Sequence, residues 1–265
     1  MTGGDATTPY TRHAGFYDRI AADAPIVAGL RRRVVDVLDP GRGDVVVEMG
    51  CGTGANLSPL RDRVGPGGTV IGLDVSAGML DRARGRIERA GWRNVHVARA
   101  DARRSPIPTG ADVDDGNERF RSIEVDAVLA TFLTGMLEDP AGAVDGWCGL
   151  VADTRGGPDR SRRRSGRVCI AGLARSTRPL GRLLNPGFAG IVRAAAPSGW
   201  DDGLRDGNDQ EGRGDREKRK RRAVEVLDER ALAAHRRIHE RCSDATTTRE
   251  IAGFARVTAG TVDPS

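Results

Sequence analysis

The apolar positions along this chain fall into two alternating rhythms. Across 15–38 they recur at three- and four-residue steps, through Phe16, Ile20, Ile26, Leu30, Val34, Val35 and Leu38, which is the spacing of one helix face. Asp39, Pro40 and Gly41 then stop the helix. Residues 44–49 hold a short apolar run that reads as a buried strand, and 55–64 return to helical spacing before a glycine-proline cluster at 65–68. The alternation repeats with strands at 69–73, 95–98, 125–130 and 167–173, and helices at 77–90 and 140–151. Strand, helix, strand at this spacing predicts a doubly wound α/β sheet. A helix over 223–241 and an alternating segment, FARVTAGTV, read as a terminal strand, close the chain.

Two stretches break the rhythm. Residues 153–166, DTRGGPDRSRRRSG, have no periodicity, and 198–222 are rich in Gly, Asp and Arg with almost no large apolar residue. Both are expected to be flexible insertions, with a milder one at 109–118. The organisation read from this is a tail and cap helices at 1–40 and a larger unit at 41–262.

Composition changes this picture little. The 265 residues suffice for a full core, and with only 4% aromatics that core must rest on Val, Leu, Ile and Ala. The net charge is +5, and Lys218 and Lys220 are the only lysines, as the codon usage of a GC-rich genome would give. Arginine clusters at 162–164 and 216–222 fall in the expected insertions, so the charge is weak evidence for a nucleic-acid partner. The four cysteines, Cys51, Cys148, Cys169 and Cys242, form no CxxC pair, which favours reduced thiols over a disulfide frame or a zinc site. The first residues lack the apolar core of a signal peptide, and no window approaches a membrane-spanning length. The expectation is a cytoplasmic protein. His235 and His239 lie four apart on a helix without an acid–histidine motif, and read as a helix face and not as metal ligands.

The candidate chemistry begins at 45–54, VVVEMGCGTG. A buried strand running into Gly50, Gly52 and Gly54 and then a helix brings backbone N–H groups to the carboxyl edge of the sheet, where open α/β sheets bind ligands. Glycine lets a ligand lie against the backbone itself. The turn also fits a dinucleotide fingerprint through Gly50, Gly52 and Ala55, and Asp74 follows 20 residues after Gly54 at the end of the second strand. That pair leaves both NAD and S-adenosylmethionine open. Three features separate them. Glu48, two residues before the first glycine, would repel a pyrophosphate and suit a cation. Asp101 ends the third strand, where it could accept from an adenine amine. The chain also closes in a strand after its last helix.

With these segments in view, the chain resembles the class I S-adenosylmethionine-dependent methyltransferases. It is nearest the branch of ubiquinone/menaquinone C-methyltransferases and related small-molecule enzymes. The likeness rests on VVVEMGCGTG (45–54), GLDVSAGMLDRAR (72–84), VHVARADA (95–102) and VDAVLATFLTGMLEDP (125–140), with weaker support from 166–173 and 253–260. It implies a Rossmann-like seven-stranded sheet with a reversed C-terminal strand and an N-terminal helical cap. It also implies S-adenosyl-L-methionine as cofactor, with S-adenosyl-L-homocysteine as product. Glu48, Gly50, Gly52 and Gly54 would hold the methionine end, with Cys51 as a small filler in the same turn. Asp74 would take the ribose hydroxyls, Val75 and Met79 would lie near the adenine, and Asp101 with Ala102 would read its edge. Ala130 and Thr131 would border the methionine moiety, and Tyr17 would help cover the site.

The expected reaction is methyl transfer to a small, lipophilic acceptor such as a quinone precursor or a lipid head group. No catalytic residue is assigned; Tyr10, His13 and Tyr17 are the nearest candidates for a base, and 10–26 with 178–197 for the acceptor pocket. Two rival readings are an RNA-directed methyltransferase or nucleic-acid binder using the basic insertions, and an NAD(P)-dependent oxidoreductase. Against the first, ATFLTG follows the fourth strand where amino-directed RNA enzymes of this fold carry Asn/Asp-Pro-Pro-Tyr. Against the second stand Glu48 and the lack of a Tyr-x-x-x-Lys set. The acceptor atom and the oligomeric state are not legible.

Overall fold

The computed structural model describes residues 25–104, 107, 123–153, 166–176, 183, 185–186 and 213–262. Helix α1 (Pro25–Leu38) precedes β1 (Val45–Met49), α2 (Leu57–Val64), β2 (Thr69–Asp74), α3 (Ala77–Ala90) and β3 (Val95–Arg99). Then come β4 (Ala127–Thr131), a 3₁₀ turn at Thr134–Met136, α4 (Pro140–Asp153), β5 (Arg167–Leu173), α5 (Arg213–Arg241), β6 (Cys242–Glu250) and β7 (Ala255–Val262). The strands form one seven-stranded sheet in the order β3-β2-β1-β4-β5-β7-β6. Only β7 is reversed; it runs against both β5 and β6. The doubly wound sheet with its reversed C-terminal strand is thus the one expected.

The central strands are apolar along nearly their whole length because both faces are covered, as parallel sheets require. One core lies between the sheet and α4 and α5, and includes Met49, Ala130, Val144, Trp147 and Ile238. The other lies between the sheet and α1 and α2, and includes Val34, Leu38, Val46, Leu60 and Leu129. Helix α1 is fixed at its C-terminal end by Arg167 of β5, which donates to the carbonyl oxygens of Leu38 (2.9 Å) and Val37 (3.3 Å). Those carbonyls have no partner within the helix, so a cation there satisfies both hydrogen bonding and the helix dipole. All four cysteines are buried thiols outside any disulfide.

Two elements depart from the sequence reading. Helix α5 starts at Arg213, inside the stretch 198–222 expected to be a flexible insertion. Arg, Lys and Glu are strong helix formers, and the second half of α5 is packed on the sheet, so the charged first half extends an anchored helix. The other is β6, CSDATTTRE, which has no apolar alternation to announce it. It is an edge strand whose ladder to β7 supplies the pairing. Its register shifts between Ser243 and Thr246, where Asp244 takes φ +53 and accepts from the Thr261 N–H at 2.8 Å. The insertions at 109–118 and 154–165 lie outside the described residues. Among the described residues no helix is long and apolar enough to cross a membrane.

Candidate active site

Register fixes where the predicted residues meet. Glu48 and Met49 pair with Gly72 and Leu73 on one side and with Leu129 and Ala130 on the other. The ends of β1, β2 and β4 are therefore level, and the turn after β1 sits between Asp74 and Thr131. Gly50, Gly52 and Gly54 have φ of +67, +55 and +81, the left-handed region that side chains rarely adopt. Their surroundings differ. A Cβ on Gly54 would lie 2.6 Å from Leu57 Cδ1, and one on Gly50 would press on Leu133 at 3.0 Å. A Cβ on Gly52 would meet nothing within 4 Å. Gly54 and Gly50 are held by packing, whereas Gly52 faces open space.

Cys51 is buried against Gly72, where a Cβ would come within 2.9 Å of its Sγ. Burial pushes its thiol well above the usual range, which disfavours the thiolate that a nucleophile would need.

Glu48 is not at the surface of the turn but wholly buried beneath it. Its Oε1 accepts from Asn56 Nδ2 at 2.5 Å, and its Oε2 has no hydrogen-bond partner among the described residues. A buried acceptor left this way costs about 1–3 kcal/mol. Burial lifts its carboxyl to about 7, opposed by the Asn56 hydrogen bond and by the Arg31 charge. Read from sequence alone, this acid is a fixed negative charge. Near neutrality it is poised between its two states, and an arriving cation would decide which one it takes.

Asn56 also donates to Thr131 Oγ1 (2.8 Å) and accepts from Arg31 Nη1 (3.0 Å). Arg31 belongs to α1 and lies over the Phe132 ring, 5.6 Å from its centroid. Phe132, the residue after β4, takes φ +57 and donates its N–H to Ala171 O at 2.7 Å. Neither Arg31 nor Asn56 was among the residues read from the sequence. Arg31 could have been found, since it stands three, four and seven residues before Val34, Val35 and Leu38 and so on the apolar stripe of α1.

Asp74 ends β2 and accepts the Gly52 N–H at Oδ2 (2.9 Å) and the Ser76 N–H at Oδ1 (2.8 Å). Ser76 caps α3 through Met79 N, at 3.4 Å, so Asp74 is not needed as a cap. Each of its oxygens keeps a lone pair for another donor. Val75 is 45% exposed beside it, and Met79 is buried below. Asp101 is engaged in a fork with Arg103, which donates Nε (3.0 Å) and Nη2 (2.7 Å) to Oδ2. That pairing holds its carboxyl below the usual range. Ala102 is buried, and its carbonyl accepts from Trp147 Nε1 at 2.8 Å.

Ala130 is buried in β4. Tyr17, Tyr10 and His13 lie outside the described residues, as does most of 178–197. Within that segment Asn185 exchanges hydrogen bonds with the backbone of Ser176 (2.9 and 3.1 Å), just beyond β5. His235 and His239 are joined through Thr258 and Thr247: His235 Nδ1 to Thr258 at 2.6 Å, the two hydroxyls at 2.7 Å, and His239 Nε2 to Thr247 at 2.8 Å. Among the described residues no three His, Cys, Asp or Glu are grouped to hold a metal ion.

A family model described as a methyltransferase domain matches residues 46–141. The aklanonic acid methyltransferase of Streptomyces sp. (strain C5) is 30% identical over 138 residues, which cover 52% of this chain and 56% of that one. The nocamycin O-methyltransferase of Saccharothrix syringae is 35% identical over 102 residues, or 38% of this chain and 36% of that one. The matches thus span about half or less of these relatives' length. Among solved structures, a SAM-dependent methyltransferase from Aquifex aeolicus has a TM-score of 0.52 over 94% of this chain and 98% of that one. At 16% identity that is a likeness of fold. Residues 46–141 thus match a methyltransferase domain, and the whole sheet, with its strand order and reversed β7, shares the fold of a SAM-dependent methyltransferase.

Proposed function

We propose that the protein transfers a methyl group from S-adenosylmethionine to a small acceptor with an apolar body. The observation that carries this is the meeting of three groups at one sheet edge. These are a left-handed turn with open space at Gly52, the spare lone pairs of Asp74, and a buried acid with one oxygen unpartnered. Those features fit S-adenosylmethionine, whose ribose offers hydroxyls and whose methionine end is cationic.

When bound, the cofactor supplies a methyl group already made electrophilic by its sulfonium. Gly52 leaves room for it, Asp74 accepts the ribose hydroxyls while its other lone pairs keep the turn in shape, and Val75 offers an apolar face to the adenine. Asp101 can take part with the lone pairs that Arg103 leaves. Glu48 balances the ammonium, and Ala130 and Thr131 border the methionine end. The chain's remaining tasks are to position the acceptor and exclude water. A base is needed only for an acceptor that must first lose a proton; Tyr10, His13 and Tyr17 remain the candidates.

The apolar acceptor is supported by the exposed side chains of that edge. Val75, Met136, Leu173 and Ile251 are 45%, 44%, 41% and 39% exposed. They follow β2, β4 and β6 or end β5, all at the same side of the sheet. A quinone precursor or a lipid belongs to this class; the two relatives are named for aklanonic acid and nocamycin. The buried thiols, outside any disulfide, support a cytoplasmic setting.

Calorimetric titration with S-adenosylhomocysteine is expected to give a Kd near micromolar, about −8 kcal/mol, and Asp74→Ala to weaken it more than about tenfold, or ~1.4 kcal/mol. Binding of NAD with none of S-adenosylhomocysteine would overturn the reading. Labelled methyl from the cofactor is expected in the organic-extractable fraction of cell extract; label confined to RNA would overturn the small acceptor.

A further inference from the structure

We propose that Asn56 and Arg31 are positioning residues that aim Glu48 and hold its negative charge for the cofactor's ammonium, so that the seating of α1 is coupled to cofactor binding. This rests on the function proposed above. The geometry is a closed chain of buried groups from four parts of the fold. Arg31 of α1 donates to Asn56 Oδ1, and Asn56, the cap of α2, donates to Glu48 of β1 and to Thr131 of β4. Arg31, Glu48, Asn56 and Thr131 are all buried.

The amide of Asn56 is fully used by these contacts. It has two N–H donors and one carbonyl, and each is engaged. Asn56 therefore cannot turn without breaking three bonds, and Glu48 Oε1 is fixed with it. That leaves Oε2, which has no hydrogen-bond partner among the described residues, as the oxygen available to a donor. The ionisable groups acting on Glu48 come from each side. Arg31 of α1 favours its charge, Asp74 at the end of β2 opposes it, and the Cys51 thiol is itself raised by both acids. Arg31 is thus the countercharge that keeps the carboxylate accessible near neutral pH. Its stacking on Phe132 ties the same side chain to the turn that follows β4.

A residue that merely filled space beside the site would weaken binding by the same factor at every pH. A residue that sets the charge of Glu48 would move the pH at which binding improves. The test is calorimetric titration of S-adenosylhomocysteine from about pH 6 to about pH 8.5 in two buffers of different ionisation enthalpy, with thermal unfolding as the check on folding. In the wild type the Kd is expected to tighten by up to about tenfold per pH unit below about pH 7 and then level off, with about one proton released in the lower range. Arg31→Met is expected to shift that midpoint upward and weaken the Kd at neutral pH by about tenfold, with a smaller loss at about pH 8.5. Arg31→Lys, which keeps the charge, is expected to retain the wild-type midpoint. Asn56→Ala is expected to shift it in the same direction as Arg31→Met, and reads the same quantity if Arg31→Met does not fold. An unchanged midpoint in the folded variants, or an equal loss at all pH values, would overturn the positioning role and leave the methyltransferase reading intact. No binding by the wild type at any pH would overturn both.

Discussion

Gly52 and Gly54 share a backbone conformation but not a reason for it. At Gly54 an added Cβ strikes Leu57 and Ala83, whereas at Gly52 it enters open space. Gly54→Ala therefore combines left-handed strain with overpacking, about 2–4 kcal/mol in all, and is expected to lower the thermal midpoint strongly. Gly52→Ala carries only the strain, about 1–2 kcal/mol, yet is expected to lose most of its affinity for S-adenosylhomocysteine. Equal effects of the two on stability and on binding would refute the division. The glycines, Glu48 and Asp74 were legible because each follows from a spacing along the chain. Asn56 was not, since nothing in a single asparagine after a glycine turn says that three partners from distant segments converge on it. Arg31 was legible in principle from its place on the apolar stripe of α1. In a chain whose bases are nearly all arginine, however, no single one of them stands out.

At the scale of elements, α1 is held at its middle and at its C-terminal end. Arg31 enters the buried network, and Arg167 closes the last carbonyls. Arg167→Met leaves those carbonyls without their donor and is expected to cost about 1–2 kcal/mol, given the partial exposure of the arginine. For a chain of this size that is a fall of about 2–6 °C in thermal midpoint. Hydrogen exchange is expected to quicken in α1 before the central strands, and uniform quickening would contradict a local role. Strands and helices with a clear apolar period were read to within a few residues. Helix α3 matches at both ends because Ser76 and Gly91 cap it by their own chemistry. What escaped was structure whose stability lies elsewhere. The polar residues of β6 are ordered by β7, and the charged start of α5 by its anchored second half, where Arg237 forks onto Asp145 of α4.

For the whole molecule, two buried titrating groups set opposite limbs of stability against pH. Burial lowers His235 from 6.5 to about 4. It therefore favours the fold above about pH 6.5, and that contribution is lost as pH falls through about 4. Burial raises Glu48 from 4.5 to about 7. Its contribution is complete below about pH 4.5 and is lost as pH rises through about 7, on the order of 3 kcal/mol. Between about pH 4.5 and about pH 6.5 the two offset each other, so the unliganded wild type is expected to hold a nearly level thermal midpoint there; Glu48→Gln removes one side of the balance and is expected to show the His235 rise over that range while weakening cofactor binding. A Glu48→Gln profile that runs parallel to the wild type would contradict the raised carboxyl. The fold brings this cost and its use to the same place, since the strand order leaves the ends of β1, β2 and β4 level. The far side of the sheet has a different consequence. The bulge at Asp244 twists the outer strand, and its polar, largely exposed residues offer no apolar row. A second molecule adding a strand there would meet a break in register and no apolar row, which blunts that border of the sheet against fibrous aggregation.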